Sequence, residues 1–203
     1  MCWTVTNPFA KAYRITHNIL YPIFSIFHPV EVIGAENLPE GPVLMCGNHS
    51  SAWDPIQVIM ALPKTFPLRI MAKKQLFRIP LIGPFLTAIG VFPVDRGNSD
   101  INAVKTSIKS LNEGFTLLLF PEGTRVKAKG QVQPKSGAAV IAVRGGVPMV
   151  PVFIGTKKRL FRKTKVIFGK PFDPVYTGRK GTAEEMQANV DEVMRQSYAL
   201  GGM

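Results

Sequence analysis

His49 and Asp54, in the segment NHSSAWDP, have the residue types and spacing for acid–base chemistry. The apolar run before His49 predicts a strand, and Pro55 predicts that a helix begins at or near Asp54. Across such a turn the carboxylate can reach one imidazole nitrogen and leave the other free to accept a proton. A general base of this kind activates a hydroxyl, whose own pKa is far from neutral. Taken alone, the spacing favours a simpler role, in which Asp54 only caps its helix.

Arg96, in the segment GVFPVDRG, is a candidate binding residue. A strand predicted over Val91 to Val94 ends in the turn that carries this arginine. A guanidinium binds phosphate through two parallel hydrogen bonds and stays charged at all physiological pH values. An ion pair between Arg96 and Asp95 on the surface explains the segment equally well.

The segment FPEGTR directly follows the most apolar predicted strand of the chain. Glu122 could bind substrate hydroxyls or hold an arginine in place. Gly123 permits close approach of the backbone to a ligand, and Thr124 and Arg125 add a hydroxyl and a cation. The alternative is a tight turn with a local salt bridge. A fourth segment, Val147 to Val152, has no titratable group, so it is expected only to form a wall.

Predicted strands and helices alternate along the rest of the chain, which indicates an α/β fold with a mostly parallel central sheet flanked by helices. Active residues are then expected in loops at strand ends. The helix beginning near residue 100 should be capped by Asn98 or Ser99, and Thr182 with Glu185 should form a capping box for the last helix. The strands are predicted at 30–34, 43–47, 68–72, 91–94, 116–120, 147–154 and 166–169.

Residues 1–29 are predicted to be an amphipathic, two-helix membrane-interface segment, and residues 30–203 the α/β domain. The segment has a wide apolar face with aromatic residues and a thin polar stripe that includes Lys11 and Arg14. That composition is typical of a helix that lies in the membrane interface. Pro22 should divide the segment into two helices. The alternative is a helix packed on the domain core.

The chain carries a net charge of +12, and the whole excess lies in one region. Between residues 123 and 172 there are twelve Lys or Arg residues and no acid, whereas the remainder is neutral. Such a region favours an anionic partner: nucleic acid, a phosphorylated substrate or an anionic membrane. A solvated basic face without a specific ligand is the alternative. The cluster from Lys157 to Lys165 suits lipid headgroups, acyl-carrier protein or CoA phosphates equally.

Cysteine and histidine positions argue against metal or disulfide chemistry. Cys2 and Cys46 lack the spacing of a metal site or a disulfide framework, which fits a reducing environment. The three histidines are scattered, so we expect no metal site and no cofactor. No apolar run is long enough for a membrane-spanning helix.

Together the ordered segments NHSSAWDP, GVFPVDRG, FPEGTR and VPMVPV resemble the 1-acylglycerol-3-phosphate O-acyltransferase (lysophosphatidic acid acyltransferase) family of the glycerophospholipid acyltransferase superfamily. The resemblance covers about residues 42 to 152 and is nearest to the short bacterial members. It implies that His49 and Asp54 form the catalytic dyad. It also implies that the acceptor is bound by Arg96, Glu122, Gly123, Thr124 and Arg125, with Lys73 near the site, on the phosphate or the thioester oxyanion.

The family resemblance implies transfer of an acyl group to the sn-2 hydroxyl of 1-acylglycerol 3-phosphate, from acyl-CoA or acyl-carrier protein. It implies a peripheral or monotopic enzyme that contacts membrane lipids on the cytoplasmic face of the cell membrane, with no nucleic-acid partner. Glycerol 3-phosphate or another lysophospholipid is the alternative acceptor. A non-enzymatic module that binds anionic lipid or nucleic acid, and a thioester or lipid hydrolase, are the alternatives from other classes.

Overall fold

A seven-stranded β-sheet forms the centre of the computed structural model, which describes residues 8–95 and 100–203. The strands are β1 (Val30–Ile33), β2 (Leu44–Gly47), β3 (Leu68–Lys73), β4 (Phe92–Val94), β5 (Thr116–Leu119), β6 (Met149–Ile154) and β7 (Thr164–Phe168). Their spatial order is β1-β7-β6-β2-β5-β3-β4. Neighbouring strands run parallel except for the antiparallel pair β6 and β7. The prediction of an α/β fold with a mostly parallel sheet is therefore confirmed.

Helices cover both faces of this sheet. They are α1 (Ala10–Phe27), α2 (Asp54–Ala61), α3 (Ile82–Ala88), α4 (Ile101–Asn112), α5 (Gly137–Gly145) and α6 (Ala183–Leu200), with short 3₁₀ turns at Ala35–Asn37 and Lys74–Arg78. Helices α4, α5 and α6 contact one another or strands β2, β5 and β6, whereas α2 contacts β1, β6 and β7. The sheet is thus a middle layer, which explains why its central strands are apolar on both sides.

Side chains of β2 show how the central strands fill both core layers. Leu44 and Cys46 belong to the apolar cluster that includes residues of α5 and α6. Met45, between them, belongs to the cluster on the α2 side. All three are fully buried. Burial raises the pKa of the Cys46 thiol, so this cysteine is a small core residue and not a nucleophile.

Helix α1 is one helix from Ala10 to Phe27, so the prediction that Pro22 divides it into two is wrong. Proline removes only one hydrogen bond donor, and packing at both ends of the helix offsets that loss. Near the start of the helix, Tyr13 is buried. Near its end, the ring of Phe24 packs on Trp53, with 5.3 Å between ring centroids. The boundary at residue 29 stays a prediction.

Two predicted helix caps have different outcomes. Thr182 and Glu185 form the predicted capping box at the start of α6. Helix α4 is capped by Asp100 and not by Asn98 or Ser99, which lie outside the described residues. One Asp100 oxygen accepts the backbone N–H of Ala103 and the other accepts that of Asp95, both at 2.9 Å. The carboxylate therefore joins the end of β4 to the start of α4.

Candidate active site

Three loops that follow β2, β5 and β6 meet at one edge of the sheet. Strand β2 lies between β5 and β6 and runs parallel to both, so their carboxyl ends are side by side. His49 follows β2, Glu122 follows β5 and Lys158 follows β6. Carboxyl ends of neighbouring parallel strands are where α/β folds place their ligand sites. Residues far apart in sequence are thereby brought together.

His49 and Asp54 form the hydrogen-bonded pair that the sequence predicts. The distance from His49 Nδ1 to Asp54 Oδ2 is 2.9 Å, and both residues are buried. The same carboxylate oxygen accepts the backbone N–H groups of Ser50 at 2.6 Å and Ser51 at 2.7 Å. A helix-capping carboxylate accepts N–H groups of the first helical turn. Ser50 and Ser51 precede α2, so Asp54 does not act as a simple helix cap. Because Nδ1 is used in the pair, Nε2 is the nitrogen placed to accept a proton.

Lys158 makes a second contact with the Asp54 carboxylate. Its Nζ lies 2.5 Å from Oδ1, and the lysine side chain is only 8 % exposed. Burial raises the pKa of the Asp54 carboxyl, but the hydrogen bond from His49 and the Lys158 ammonium outweigh this effect and hold the pKa below its ordinary value of 3.8. The aspartate is therefore ionised at neutral pH, as an orienting group for a histidine base must be.

The loop that carries His49 is fixed by its neighbours. The Asn48 side chain donates to the backbone oxygen of Ile154 at 2.9 Å and accepts the backbone N–H of Ile154 at 2.7 Å. The His49 ring stacks on the Phe120 ring with 4.4 Å between centroids. The His49 carbonyl accepts the backbone N–H of Val126 at 2.7 Å. The imidazole thus has one well-defined position.

An apolar cavity of about 530 Å³ extends from the imidazole. It lies between α1, α2, α3 and β3, and its size is typical of sites for small organic ligands. His49, Lys73 and Arg125 lie in its lining. The rest of the wall is mostly aliphatic and aromatic, and includes Leu20, Phe24, Ile56, Ile59, Met60, Ile70, Leu76, Ile82, Phe85, Leu86 and Val91. An imidazole and two cations therefore share one cavity with room for an apolar chain.

Comparisons with known proteins agree with this geometry. A family model described as Acyltransferase matches residues 29–155. The 1-acyl-sn-glycerol-3-phosphate acyltransferase of Bacillus subtilis is 40 % identical over 167 residues, which cover 78 % of this chain and 81 % of the relative. The chain belongs to the 1-acyl-sn-glycerol-3-phosphate acyltransferase family.

Further relatives of the 1-acyl-sn-glycerol-3-phosphate acyltransferase family support this assignment. A probable member from Mycoplasma pneumoniae is 31 % identical, over 94 % of this chain and 78 % of the relative. The crystal structure of the 1-acyl-sn-glycerophosphate (LPA) acyltransferase PlsC from Thermotoga maritima superposes with a TM-score of 0.67. That match has 28 % identity and covers 96 % of this chain and 80 % of the other. The family resemblance read from the sequence is thus confirmed.

Glu122 of this family member has contacts that its sequence did not suggest. The residue is 6 % exposed, and its Oε2 accepts the backbone N–H of His49 at 2.8 Å. Its other oxygen accepts a hydrogen bond from the Tyr198 hydroxyl. Burial raises the pKa of Glu122 above 4.5, although the bonds from Tyr198 and His49 lower it. Both oxygens accept hydrogen bonds from protein groups, so Glu122 fixes the loop that carries His49.

The other predicted acceptor residues have different locations. Gly123 has φ +66°, and a Cβ atom there would lie 3.1 Å from Cε of Lys135. Thr124 is exposed in the same turn. Arg96 lies outside the described residues, so its role stays a prediction. Lys73, the last residue of β3, and Arg125 are the predicted cations that line the cavity with His49.

Two site residues were missed by the sequence analysis. By sequence Lys158 belongs to the basic cluster, and Tyr198 lies near the end of α6, far from the capping box that marks the start of that helix. Lys158 could have been found from its position in the loop after β6, because β6 is the neighbour of β2, the strand that His49 follows. Nothing in the local sequence marks Tyr198. Within residues 8–95 and 100–203, no three His, Cys, Asp or Glu side chains are grouped to hold a metal ion.

Proposed function

We propose that this chain transfers a fatty acyl group from an acyl thioester to the sn-2 hydroxyl of 1-acylglycerol 3-phosphate, which yields phosphatidic acid. The observation that carries the proposal is the oriented His49 imidazole at an apolar cavity that Lys73 and Arg125 also line. The apolar wall suits the acyl chain of a lipid, and the cations suit its phosphate. The imidazole is placed to activate its hydroxyl. The names of the relatives supply the acceptor.

In the proposed reaction His49 acts as a base and forms no covalent intermediate. Its Nε2 takes the proton of the acceptor hydroxyl while the hydroxyl oxygen bonds to the thioester carbonyl carbon. The C–S bond then breaks, and the leaving thiolate takes the proton from the imidazolium. Asp54 stabilises the imidazolium between the two steps. Lys73 or backbone N–H groups stabilise the tetrahedral oxyanion.

Acyl-CoA or acyl-carrier protein is the proposed acyl donor, and the proposed reaction uses no cofactor. The basic excess between residues 123 and 172 suits either donor, because both are negatively charged. CoA carries phosphate groups, and acyl-carrier protein carries a phosphopantetheine arm on an acidic protein surface. Purified protein should be given each donor with 1-acylglycerol 3-phosphate, glycerol 3-phosphate or lysophosphatidylcholine as acceptor. Labelled phosphatidic acid from the first acceptor alone supports the proposal. A product only from another acceptor, or only free fatty acid, contradicts it.

Helix α1 is proposed to lie in the membrane interface at the cytoplasmic face. One side of the helix lines the cavity, while Ile15, Ile19, Ile23 and Ile26 are between 49 % and 62 % exposed on the other side. Because the domain does not cover these isoleucines, they form an exposed apolar stripe along the helix. Insertion of the helix into the membrane interface would bury this stripe. Among the described residues, no helix is long and apolar enough to cross a membrane.

The loop after β6 extends this surface. The ring of Phe161 packs on Phe27 with 5.4 Å between centroids, and the Phe161 N–H donates to the Phe27 carbonyl at 2.8 Å. Leu160 and Phe161 are 59 % and 64 % exposed, and Arg159 and Arg162 flank them. Apolar side chains beside cations suit a bilayer with anionic headgroups.

A vesicle experiment tests the membrane proposal. The wild-type chain should sediment with vesicles of phosphatidylcholine and phosphatidylglycerol, and the double variant Ile19→Glu/Ile23→Glu should stay in the supernatant. Ile101→Glu is the matched control, because Ile101 is equally exposed on α4. Sedimentation of the double variant at the wild-type level contradicts the proposal. A protease-protection assay on cells tests the cytoplasmic face.

A further inference from the structure

We infer that Lys158 is a positioning residue of the catalytic pair, which it holds in the proton-accepting state. The inference rests on the proposed acyl transfer. Sequence patterns place Lys158 in a surface cluster of cations, but its side chain is 8 % exposed. It reaches the site because β6 and β2 are parallel neighbours.

Lys158 makes one ion pair and two hydrogen bonds within the site. Nζ lies 2.5 Å from Oδ1 of Asp54. It also donates to Ser50 Oγ at 2.8 Å and to the Gly155 carbonyl at 2.9 Å. The ammonium is thus fixed against the loop that follows His49 and does not reach out toward solvent or substrate. Such a buried cation acts through the carboxylate that it contacts.

The charge of Lys158 opposes protonation of the His49–Asp54 pair. Asp54 alone would stabilise an imidazolium strongly, and a histidine that is already protonated cannot act as a base. The adjacent ammonium offsets part of the carboxylate charge, which weakens the electrostatic stabilisation of an imidazolium at His49. The geometry thereby separates two tasks: Asp54 orients the ring, and Lys158 limits how tightly the pair holds a proton.

Among the described residues, the other titratable groups near the pair are Glu122, His17, Lys73 and Arg125, and a Lys158 variant keeps all four. Glu122 accepts hydrogen bonds from the His49 backbone and from Tyr198. Lys73 and Arg125 line the same cavity as the imidazole. Because these groups are common to the wild type and to every Lys158 variant, a shift that Lys158→Arg reverses is assigned to the lost ammonium.

The test is the pH profile of kcat/KM for Lys158→Met, with acceptor in neutral detergent micelles. We expect the acid limb to move up by about 1 to 2 pH units, as expected for loss of a unit charge near the pair. On the acid side of both limbs the variant should be about 10- to 100-fold slower, and well above the displaced limb it should approach the wild-type rate. Lys158→Arg should restore most of the original profile. Lys170→Met removes an exposed lysine and should leave the limb unchanged.

A purely structural role gives a different result. Activity of Lys158→Met would then fall by the same factor at every pH, with an unmoved acid limb, and this outcome overturns the inference. Lys158→Gln serves if the methionine variant does not fold, because its amide can still donate to Ser50 and Gly155 without the charge. An upward shift in that variant supports the inference, and an unmoved limb contradicts it. If the wild type itself forms no phosphatidic acid, that result contradicts the proposed function and not the inference about Lys158.

Discussion

Glu122 accepts the backbone N–H of His49 at 2.8 Å while its other oxygen accepts the hydroxyl of Tyr198. One buried carboxylate thus joins the loops after β5 and β2 to helix α6. The segment FPEGTR therefore positions the segment NHSSAWDP, in addition to any contact that it makes with the acceptor. This relationship makes the base part of a connected network.

Removal of the Tyr198 hydroxyl should destabilise the fold. Tyr198→Phe leaves one oxygen of a buried carboxylate without its donor, and the free energy of unfolding should fall by about 1–3 kcal/mol. Urea denaturation followed by circular dichroism measures the change. Tyr176→Phe, at an exposed tyrosine, is the control and should change it little. An unchanged stability of Tyr198→Phe would contradict the network.

Ionisation of Glu122 should make stability depend on pH. Burial raises its pKa above 4.5 in the folded chain, so the folded state binds a proton more tightly than the unfolded state. The stability that this provides is present at low pH and is lost as the pH rises through the raised pKa. We expect the free energy of unfolding of wild type, relative to Glu122→Gln, to fall with rising pH above about 4.5. A flat or rising difference contradicts the buried position of this carboxylate.

Asp54→Asn should lower both activity and stability, and a second substitution at Lys158 should restore only the stability. The amide loses the charge that stabilises the imidazolium, so kcat should fall by roughly 10²- to 10⁴-fold. The variant also leaves Lys158 buried without its counter-charge, which lowers stability. Asp54→Asn/Lys158→Met should be more stable than Asp54→Asn and equally slow. Thermal unfolding and single-turnover assays measure both effects, and a double variant that regains activity would refute the pairing.

Much of this fold could be predicted from local sequence. The strand of Leu44 to Gly47 is apolar on both faces because helices cover both sides of the sheet, and such runs are easily recognised. The turn between His49 and Asp54 spans only a few residues, so its hydrogen bond follows from local geometry. Thr182 and Glu185 form their capping box for the same reason.

What could not be predicted depends on contacts between distant segments. Lys158 and Asp54 meet only because β6 lies next to β2, and strand order is not encoded in any local pattern. Tyr198 reaches Glu122 from a helix at the other end of the chain. Pro22 suggested a break in α1, yet packing of Phe24 on Trp53 and burial of Tyr13 keep the helix continuous. The role of Arg96 stays a prediction.

Blocking the apolar cavity should change chain-length selectivity. Ile59 lines the cavity, so Ile59→Trp should shorten the space next to the base. We expect kcat/KM for a long-chain acyl donor to fall more than tenfold, a loss of about 1.4 kcal/mol or more in transition-state binding, while a short-chain donor is affected less. Ile33→Trp, at an exposed position on β1, is the control. Equal loss for both donors would show that this cavity does not hold the acyl chain.

The most direct test of the account is acyl transfer by His49→Ala. With labelled acyl thioester and 1-acylglycerol 3-phosphate, the variant should form phosphatidic acid at least about 10²-fold more slowly than wild type. Circular dichroism should show that it is folded, because the Asp54 carboxylate keeps its bonds to Ser50 and Ser51. Formation of phosphatidic acid at a near-normal rate by the folded variant would contradict the assignment of His49 as the base.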